Sequence, residues 1–183
     1  MSFHDDVTVK AGPAQDERDW VRPDPVAYQG ESGELTADYR PAGSSATQKN
    51  ASGVVASFIA PGSSTAGDFG LFQWDMPAHA GGPSAHFHRT FSESFYILAG
   101  SVRLYDGTRW VDTAAGDFLH VPRGGVHAFR NDGDDPASML ILFAPGAPRE
   151  RYFRELAEQV ASGLTLTEAQ RREFMARHDQ YQA

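Results

Sequence analysis

A series of short apolar runs, each bounded by Gly, Pro or Asp, fills the sequence from residue 54 to residue 145. The runs are rich in β-branched, aromatic and aliphatic residues, which is typical of strands. Between two of them, Asp106-Gly107 is a strong signal for a tight hairpin turn. Regularly spaced strands with turn signals between them predict an all-β sandwich or barrel. The runs are VVASFIAP, DFGLFQWDMP, ESFYILAG, SVRLYDG, GDFLHVP, VHAFRN and SMLILFAP.

The segments on either side of these runs differ from them in composition. Residues 1–50 are polar and rich in Pro, Gly, Ser and Asp, and they predict a loop-rich N-terminal arm. After the last run the apolar residues recur with helical rather than strand spacing. The sequence therefore predicts three parts: the arm at 1–50, a β-barrel at 51–146, and C-terminal helices at 147–183 that pack on the barrel.

Two helices are predicted in the C-terminal part. Phe153, Leu156 and Val160 share one helical face, and Gly163 suits the end of that helix. A second helix is predicted in TLTEAQRREFMARHDQY, where Thr165 or Thr167 would be the N-cap. That helix is expected to continue to the end of this segment, with Phe174 and Tyr181 on one face.

Composition and charge exclude several classes of function. The chain has no cysteine, which excludes disulfides, thiolate metal sites and cysteine nucleophiles. Its formal net charge of -8 argues against non-specific binding to nucleic acid. The first ten residues lack the apolar core of a secretory signal, and no apolar run reaches membrane-spanning length. We therefore expect a cytoplasmic protein that binds neither nucleic acid nor membranes.

Two of the predicted strands lack a polar face. SMLILF is apolar at successive positions, and SFYILAG nearly so, whereas a strand with one wet face should alternate. The C-terminal helices could cover one outer face of the barrel, and a second subunit is the other candidate. We expect a homodimer.

The stretch HFHRTFSE, residues 86–93, concentrates potential metal ligands in eight residues. In a strand, His86 and His88 point to the same side, and a turn in RTFS would return Glu93 to that side. A second stretch, GDFLHVPRGGVHAFRN, supplies His127. The first stretch fits His-x-His-x4-Glu-x6-Gly up to Gly100. The second fits Gly-x5-Pro-x-Gly-x2-His-x3-Asn with Gly116, Pro122, Gly124, His127 and Asn131.

Together the two motifs resemble those of the cupin superfamily, in particular single-domain cupins of the quercetin 2,3-dioxygenase-like type. The resemblance covers residues 54 to 146, and the helical tail is also similar to that type. It implies a double-stranded β-helix, or jelly-roll barrel, with two C-terminal helices and an N-terminal arm. One departure is Ala80, which stands where the family pattern has a glycine, while Gly81 and Gly82 follow it.

The resemblance further implies that His86, His88, Glu93 and His127 bind one divalent transition metal per chain. Three imidazoles and a carboxylate suit Fe(II), which we place first, and also Ni(II), Mn(II), Co(II), Cu(II) or Zn(II). Four protein ligands leave coordination positions for a small-molecule substrate, water or dioxygen.

The walls of the substrate pocket are predicted from strand alternation. Phe95, Ile97 and Phe129 share the ligand side of their strands and are expected to form an apolar, substrate-binding wall. His120, on the strand before Pro122, is a further candidate for that pocket or for support of a ligand. Arg103 is the nearby cation considered for substrate binding.

Three functions are compatible with this site. The first is a quercetinase-like dioxygenase that inserts O2 into a phenolic or enol-type molecule, with ring or C–C cleavage and with Glu93 as ligand or catalytic base. The second is a non-oxidative, metal-dependent isomerase, cyclase or decarboxylase in which Glu93 is the acid/base. The third is a small-molecule-binding protein without turnover. The first two functions need the same ligands, so the ligand set does not distinguish them. We favour the dioxygenase.

Overall fold

The structure, a computed structural model, describes residues 27–183. Residues 1–26 of the predicted arm lie outside the described residues. Residues 27–39 belong to one unit and contain no helix or strand; Arg40–Ala183 form a second unit that contains all described strands and helices. Neither α-helix in the described part of the chain is long and apolar enough to cross a membrane.

Eleven strands and two α-helices make up the second unit, with a short 3-10 turn at Gly62–Ser64. The strands are β1 (Ala46–Lys49), β2 (Val55–Ala60), β3 (Gly70–Met76), β4 (His86–Phe87), β5 (Ser92–Ala99), β6 (Arg103–Tyr105), β7 (Trp110–Asp112), β8 (Phe118–Val121), β9 (Ala128–Arg130), β10 (Ala137–Ala144) and β11 (Tyr181–Gln182). The helices are α1 (Arg149–Ala161) and α2 (Glu168–Arg177). The predicted jelly-roll architecture with two C-terminal helices is confirmed.

One wall of the barrel is a six-stranded antiparallel sheet in the order β1-β2-β3-β10-β5-β8. The strand β1 lies within residues 1–50, where the sequence predicted only loop. Its residue Gln48 donates a side-chain hydrogen bond to the carbonyl oxygen of Phe153 in α1, at 3.1 Å. The sheet therefore begins before the predicted barrel boundary.

The opposite wall consists of two small sheets, β11-β4 and β7-β6-β9. A β-bridge between His86 and His127 joins them, with both main-chain hydrogen bonds formed at 3.0 and 2.9 Å. The hairpin between β6 and β7 is formed as predicted, and Gly107 has a φ of 92° in its turn. Two of the candidate metal ligands are thus paired through their backbones.

The core lies between the two walls and follows the alternation of the strands. In the six-stranded sheet, Ile141 of β10 lies opposite Phe72 of β3 on one side and Phe95 of β5 on the other. All three residues are buried. Glu93 has the same orientation as Phe95, and lies opposite Phe143 and Val121. A carboxylate is therefore held on the apolar, inward face of the sheet.

The helices begin as the sequence predicts, but the second ends early. Thr167 caps α2 in a reciprocal capping box with Gln170. The prediction that this helix extends to Tyr181 is wrong, because the chain reverses at Asp179, which has a φ of 53°, and Tyr181 lies in β11. The C-terminal residues therefore pair with β4, the strand that carries His86.

The helix α1 packs on inward-facing residues rather than on the outside of the sheet. The ring of Phe153 lies 5.4 Å from that of Phe72 and 5.0 Å from that of Trp74, and both residues project from the inward face of β3. On the outer face, Tyr96, Leu98 and Phe118 remain exposed. Helix α1 therefore covers the opening between the walls and leaves these outer residues uncovered.

Candidate metal centre

Three strands and the turns next to them bring the predicted ligands together. His86 lies in β4, His88 follows it, Glu93 lies in β5, and His127 precedes β9. Their residues are almost fully buried, with exposed fractions of 2%, 2%, 4% and 0% respectively. One potential ligand atom from each lies within 4.8 Å of all the others. This buried group of three imidazoles and one carboxylate suggests a metal ion.

The turn between His88 and Glu93 restores the carboxylate to the ligand side. Phe91 in this turn is buried, and its ring stacks on that of His88 at 4.3 Å. Gly124, with a φ of 81°, donates its main-chain N–H to the carbonyl oxygen of His88 at 2.7 Å. The second motif thus supports a ligand of the first through its glycine turn.

Backbone carbonyls orient all three imidazoles. The Nδ1 atoms of His86, His88 and His127 lie 2.9, 2.5 and 3.1 Å from the carbonyl oxygens of Ser84, Asp179 and Gly125. A carbonyl oxygen only accepts, so each Nδ1 must carry the hydrogen. The Nε2 atoms are therefore the ones that can bind a metal through a lone pair.

The carboxylate of Glu93 lies at the centre of this group. Its Oε2 is 3.0 Å from Nε2 of His88 and 2.9 Å from Nε2 of His127. Two lone pairs cannot face each other at this distance without a cation between them. Either protons or a metal ion must occupy these contacts, and the donor set fits a divalent transition metal.

The pKa values show how burial and charge compete in this group. Burial raises the pKa of Glu93, but hydrogen bonds from His127 and His88 outweigh it and hold the pKa well below its usual range. Burial lowers the pKa of His127, yet the hydrogen bond and charge of Glu93 reverse this and raise it. Burial, followed by the charge of His127, lowers the pKa of His86 to about 3. Glu93 is thus a carboxylate and His86 a neutral imidazole near neutral pH.

The C-terminal tail supports the site from outside. Besides the carbonyl that accepts from His88, Asp179 offers a carboxylate that accepts hydrogen bonds from the main-chain N–H groups of Arg89 and Thr90 and from the Thr90 hydroxyl, at 2.7 to 3.1 Å. In β11, Gln182 lies opposite His86 and Tyr181 opposite Phe87. No sequence pattern predicts this support, because it depends on a chain reversal that brings residue 179 back to residue 88.

A cavity of about 570 Å³ opens from the metal group. His86 and Glu93 are part of its lining, and most of the other side chains that face it are apolar. The barrel contributes Ile141, Phe143, Trp74 and Phe129, while α1 contributes Arg149, Tyr152, Phe153 and Leu156. A ligand in this cavity would meet Glu93 directly.

The predicted wall residues differ in their positions. Phe129 lines the cavity. Phe95 and Ile97 are fully buried on the ligand side of β5 but do not line it; the Phe95 ring lies 5.9 Å from that of His127 and 5.6 Å from that of Phe129. They therefore support the ligands from the core.

His120 and Arg103 lie outside the cavity. His120 is exposed on the outer face of β8 opposite Ser94, whose hydroxyl is 2.9 Å from its Nδ1, so the expectation that it lines the pocket is wrong. The reason is register: Val121, the next residue, lies opposite Glu93, and the side chain before it must face outward. Arg103 forms ion pairs with Asp112 and Asp132 at the surface.

The cavity residues of α1 were missed as site residues. Arg149, Tyr152, Phe153 and Leu156 follow the spacing i, i+3, i+4 and i+7, so they share one helical face. An arginine at the start of an otherwise apolar stripe is a signal that sequence reasoning could have used.

Comparison with known proteins agrees with the fold. Residues 72–143 match the family described as Cupin domain. Over 89 residues the chain is 32% identical to quercetin 2,3-dioxygenase of Bacillus subtilis (strain 168). That match covers 49% of this chain and 26% of the dioxygenase, so the chain spans about a quarter of this curated relative's length.

Two solved structures show the same architecture. An RmlC-like cupin from Shewanella frigidimarina NCIMB 400 has a TM-score of 0.51 and 15% identity, over 60% of this chain and 91% of that one. The polyketide cyclase RemF from Streptomyces resistomycificus has a TM-score of 0.51 and 18% identity, over 59% and 79% of the two chains. At these identities the likeness shows the fold alone.

Proposed function

Since this chain carries a cupin domain with a buried group of three histidines and one glutamate, we propose that it is a metal-dependent dioxygenase. Its substrate would be a phenolic or enol-type small molecule, cleaved at a ring or C–C bond by insertion of O2. The observation that carries the proposal is that Glu93 belongs to the ligand group and also lines the cavity. The resemblance to a quercetin 2,3-dioxygenase, which covers 49% of this chain, supports the choice of reaction.

The four residues His86, His88, Glu93 and His127 would hold one divalent metal per chain, with Fe(II) as our first choice. When bound, such an ion supplies Lewis acidity toward a substrate hydroxyl and, if redox-active, electrons for dioxygen chemistry. The three imidazoles are held for this role by the carbonyl oxygens at their Nδ1 atoms.

Glu93 has the properties of a proton acceptor for a substrate hydroxyl. Its lowered pKa keeps it ionised at neutral pH but also makes it a weak base, so a metal in the ligand group would have to make the substrate hydroxyl more acidic. Its position in the cavity lining brings it within reach of a bound molecule. One of its oxygens lies 3.0 and 2.9 Å from the Nε2 atoms of His88 and His127, so the carboxylate is directed at the ligand group. The chain thus offers one base at the inner end of the cavity.

The cavity wall suits a flat, apolar body. The rings of Trp74 and Phe129 meet edge to face at 6.3 Å, and Phe153 lies 5.0 Å from Trp74. Side chains of this kind bind an aromatic ring and keep water away from a reactive intermediate.

Oxygen consumption by metal-loaded protein tests the proposal. Protein prepared without metal would be reloaded separately with Fe(II), Mn(II), Ni(II) and Co(II) and given a panel of flavonols, catechols and enediols. We expect O2 uptake with one metal, and its loss in Glu93→Gln with metal still bound. Glu158→Gln, at an exposed position of α1 outside the cavity lining, is the matched control and should leave uptake unchanged.

Bound metal without O2 uptake on any substrate would contradict the dioxygenase. Substrate turnover in the same samples without oxygen, seen as deuterium exchange or rearrangement, would instead identify a non-oxidative isomerase, cyclase or decarboxylase.

A further inference from the structure

Arg149, the first residue of α1, has a buried guanidinium group at the cavity. The residue is 5% exposed and lines the same cavity as Glu93 and His86. Its NH1 donates to the carbonyl oxygen of His178 at 3.1 Å, and its NH2 donates to Oε1 of Gln180 at 3.3 Å. These bonds use two of the five N–H donors that an arginine carries. The buried Nε has no hydrogen-bond partner among the residues that the structure describes.

The charge of Arg149 has no carboxylate in direct contact with it in the part of the chain that the structure describes. None of the carboxylates within residues 27–183 forms an ion pair with it. The central carbon of its guanidinium lies 4.1 Å from the centre of the Tyr152 ring, a cation–π contact. Burial lowers the pKa of Arg149, since a cation out of water is costly, whereas Tyr152 and then the charges of Glu93 and Asp179 act in the opposite direction. A buried, charged group with free donors is rare in proteins unless it binds an anion.

The residues that line the cavity carry more positive than negative charge, which favours an anionic ligand. Among the described lining residues, Lys49, Arg149 and Arg171 are cationic, and Glu93 has the sole carboxylate. This contrasts with the formal net charge of -8 of the whole chain. A divalent metal in the ligand group would more than offset Glu93, so the inner cavity would be positive.

We propose that Arg149 binds the carboxylate of an aromatic or otherwise largely apolar carboxylic acid, which is the substrate class of this site. The planar guanidinium matches a carboxylate through two parallel N–H···O bonds, and Nε with one terminal nitrogen forms such a pair. A phosphate is less suited, because the lining around Arg149 is largely apolar and the other two cations of the lining, Lys49 and Arg171, are exposed. The inference deepens the proposed function, since the acid would occupy the same cavity and present its hydroxyl or enol oxygen to the metal group.

A purely structural role is the alternative for Arg149, because it also ties α1 to the tail at His178 and Gln180. The test must therefore measure recognition of charge, which a packing role does not provide. Salicylate and its neutral amide, salicylamide, have the same shape and the same phenol and differ by the carboxylate.

Isothermal titration calorimetry with these two ligands tests the inference. The protein is loaded with zinc, which has no redox chemistry, so that only binding is measured. We expect wild-type protein to bind salicylate at least about tenfold more tightly than salicylamide. Arg149→Met keeps much of the apolar packing. In this variant, the ratio of the affinity for salicylate to that for salicylamide should fall toward one. Arg154→Met, on the same helix and outside the cavity lining, is the matched control and should keep the ratio.

Two results would overturn the inference. One is equal binding of the two ligands by wild-type protein; the other is an unchanged ratio in folded Arg149→Met, which would assign carboxylate recognition to the metal alone. If Arg149→Met does not fold, nuclear magnetic resonance of wild-type protein decides. The resonance of the Arg149 Nε–H group should shift when salicylate is added and not when salicylamide is added. Equal shifts with the two ligands would contradict the proposal. A ratio that depends on Arg149 in a protein without O2 uptake would leave this inference standing while the dioxygenase fails.

Discussion

The Nδ1 atom of His88 lies 2.5 Å from the main-chain carbonyl oxygen of Asp179, 91 residues later in the chain. This bond joins the first metal motif to the segment after the last helix. It makes the orientation of one ligand dependent on the docking of the C-terminal tail. Partners of metal-binding histidines commonly affect metal affinity tenfold or more.

Removing the Asp179 carboxylate should weaken both the fold and the site. Asp179→Ala loses the hydrogen bonds to Arg89 and Thr90 and places alanine at a φ of 53°, so we expect a loss of about 1–3 kcal/mol in the free energy of unfolding. Metal affinity should fall by about tenfold. Denaturant unfolding and competition with a chelator measure the two effects. Asp134→Ala, an exposed residue paired with His79, is the control, and an equal effect there would contradict the specific role of the tail.

The metal content of alanine variants should distinguish the ligand histidines from His120, which lies on the outer face of β8. His88→Ala or His127→Ala removes one of four ligands and should abolish metal occupancy at stoichiometric metal. His120→Ala, on the outer face of β8, should retain occupancy close to that of wild type. Elemental analysis of dialysed protein measures this. Full occupancy in His88→Ala would show that the ligand group is not the metal site.

Metal affinity should fall as the pH is lowered. The pKa of His127 is raised above its ordinary 6.5 by Glu93, so in metal-free protein this imidazole is protonated below that raised value, and the metal must displace the proton. Affinity is therefore fully developed above the pKa of His127 and declines below it, by about tenfold per pH unit for one proton. His86, with a pKa of about 3, adds no such dependence near neutrality. Zinc competition titrations from about pH 6 to about pH 8.5 measure the slope; a flat profile would contradict this assignment.

The expected homodimer remains a prediction, and the outer face of the sheet gives it a location. Tyr96 and Phe118 lie opposite each other in β5 and β8, with exposed fractions of 44% and 64%, and Leu98 follows in β5 at 40%. We propose that a second copy covers this surface, because α1 packs on the inward side and leaves it open. Phe118→Glu should convert dimer to monomer in light scattering. A monomeric wild-type protein, or an unchanged dimer in the variant, would exclude this interface.

The fold and the ligand group were predictable because both depend on local patterns. Short runs between turn residues define strands, and His86, His88, Glu93 and His127 lie at fixed spacings within two stretches of chain. Relations between distant segments were not predictable. His120 was misplaced because the register of β8 on β5 determines which of its residues faces Glu93, and the helical reading of Tyr181 failed because Asp179 reverses the chain.

The two parts of the site come from different parts of the chain. All four candidate ligands lie between residues 86 and 127, whereas α1, which begins at residue 149, supplies a large share of the cavity wall. Substitutions along one face of a single helix could therefore alter which molecules enter while leaving the metal chemistry intact. For directed evolution, α1 is the segment to randomise, with Arg149 first held fixed and then released.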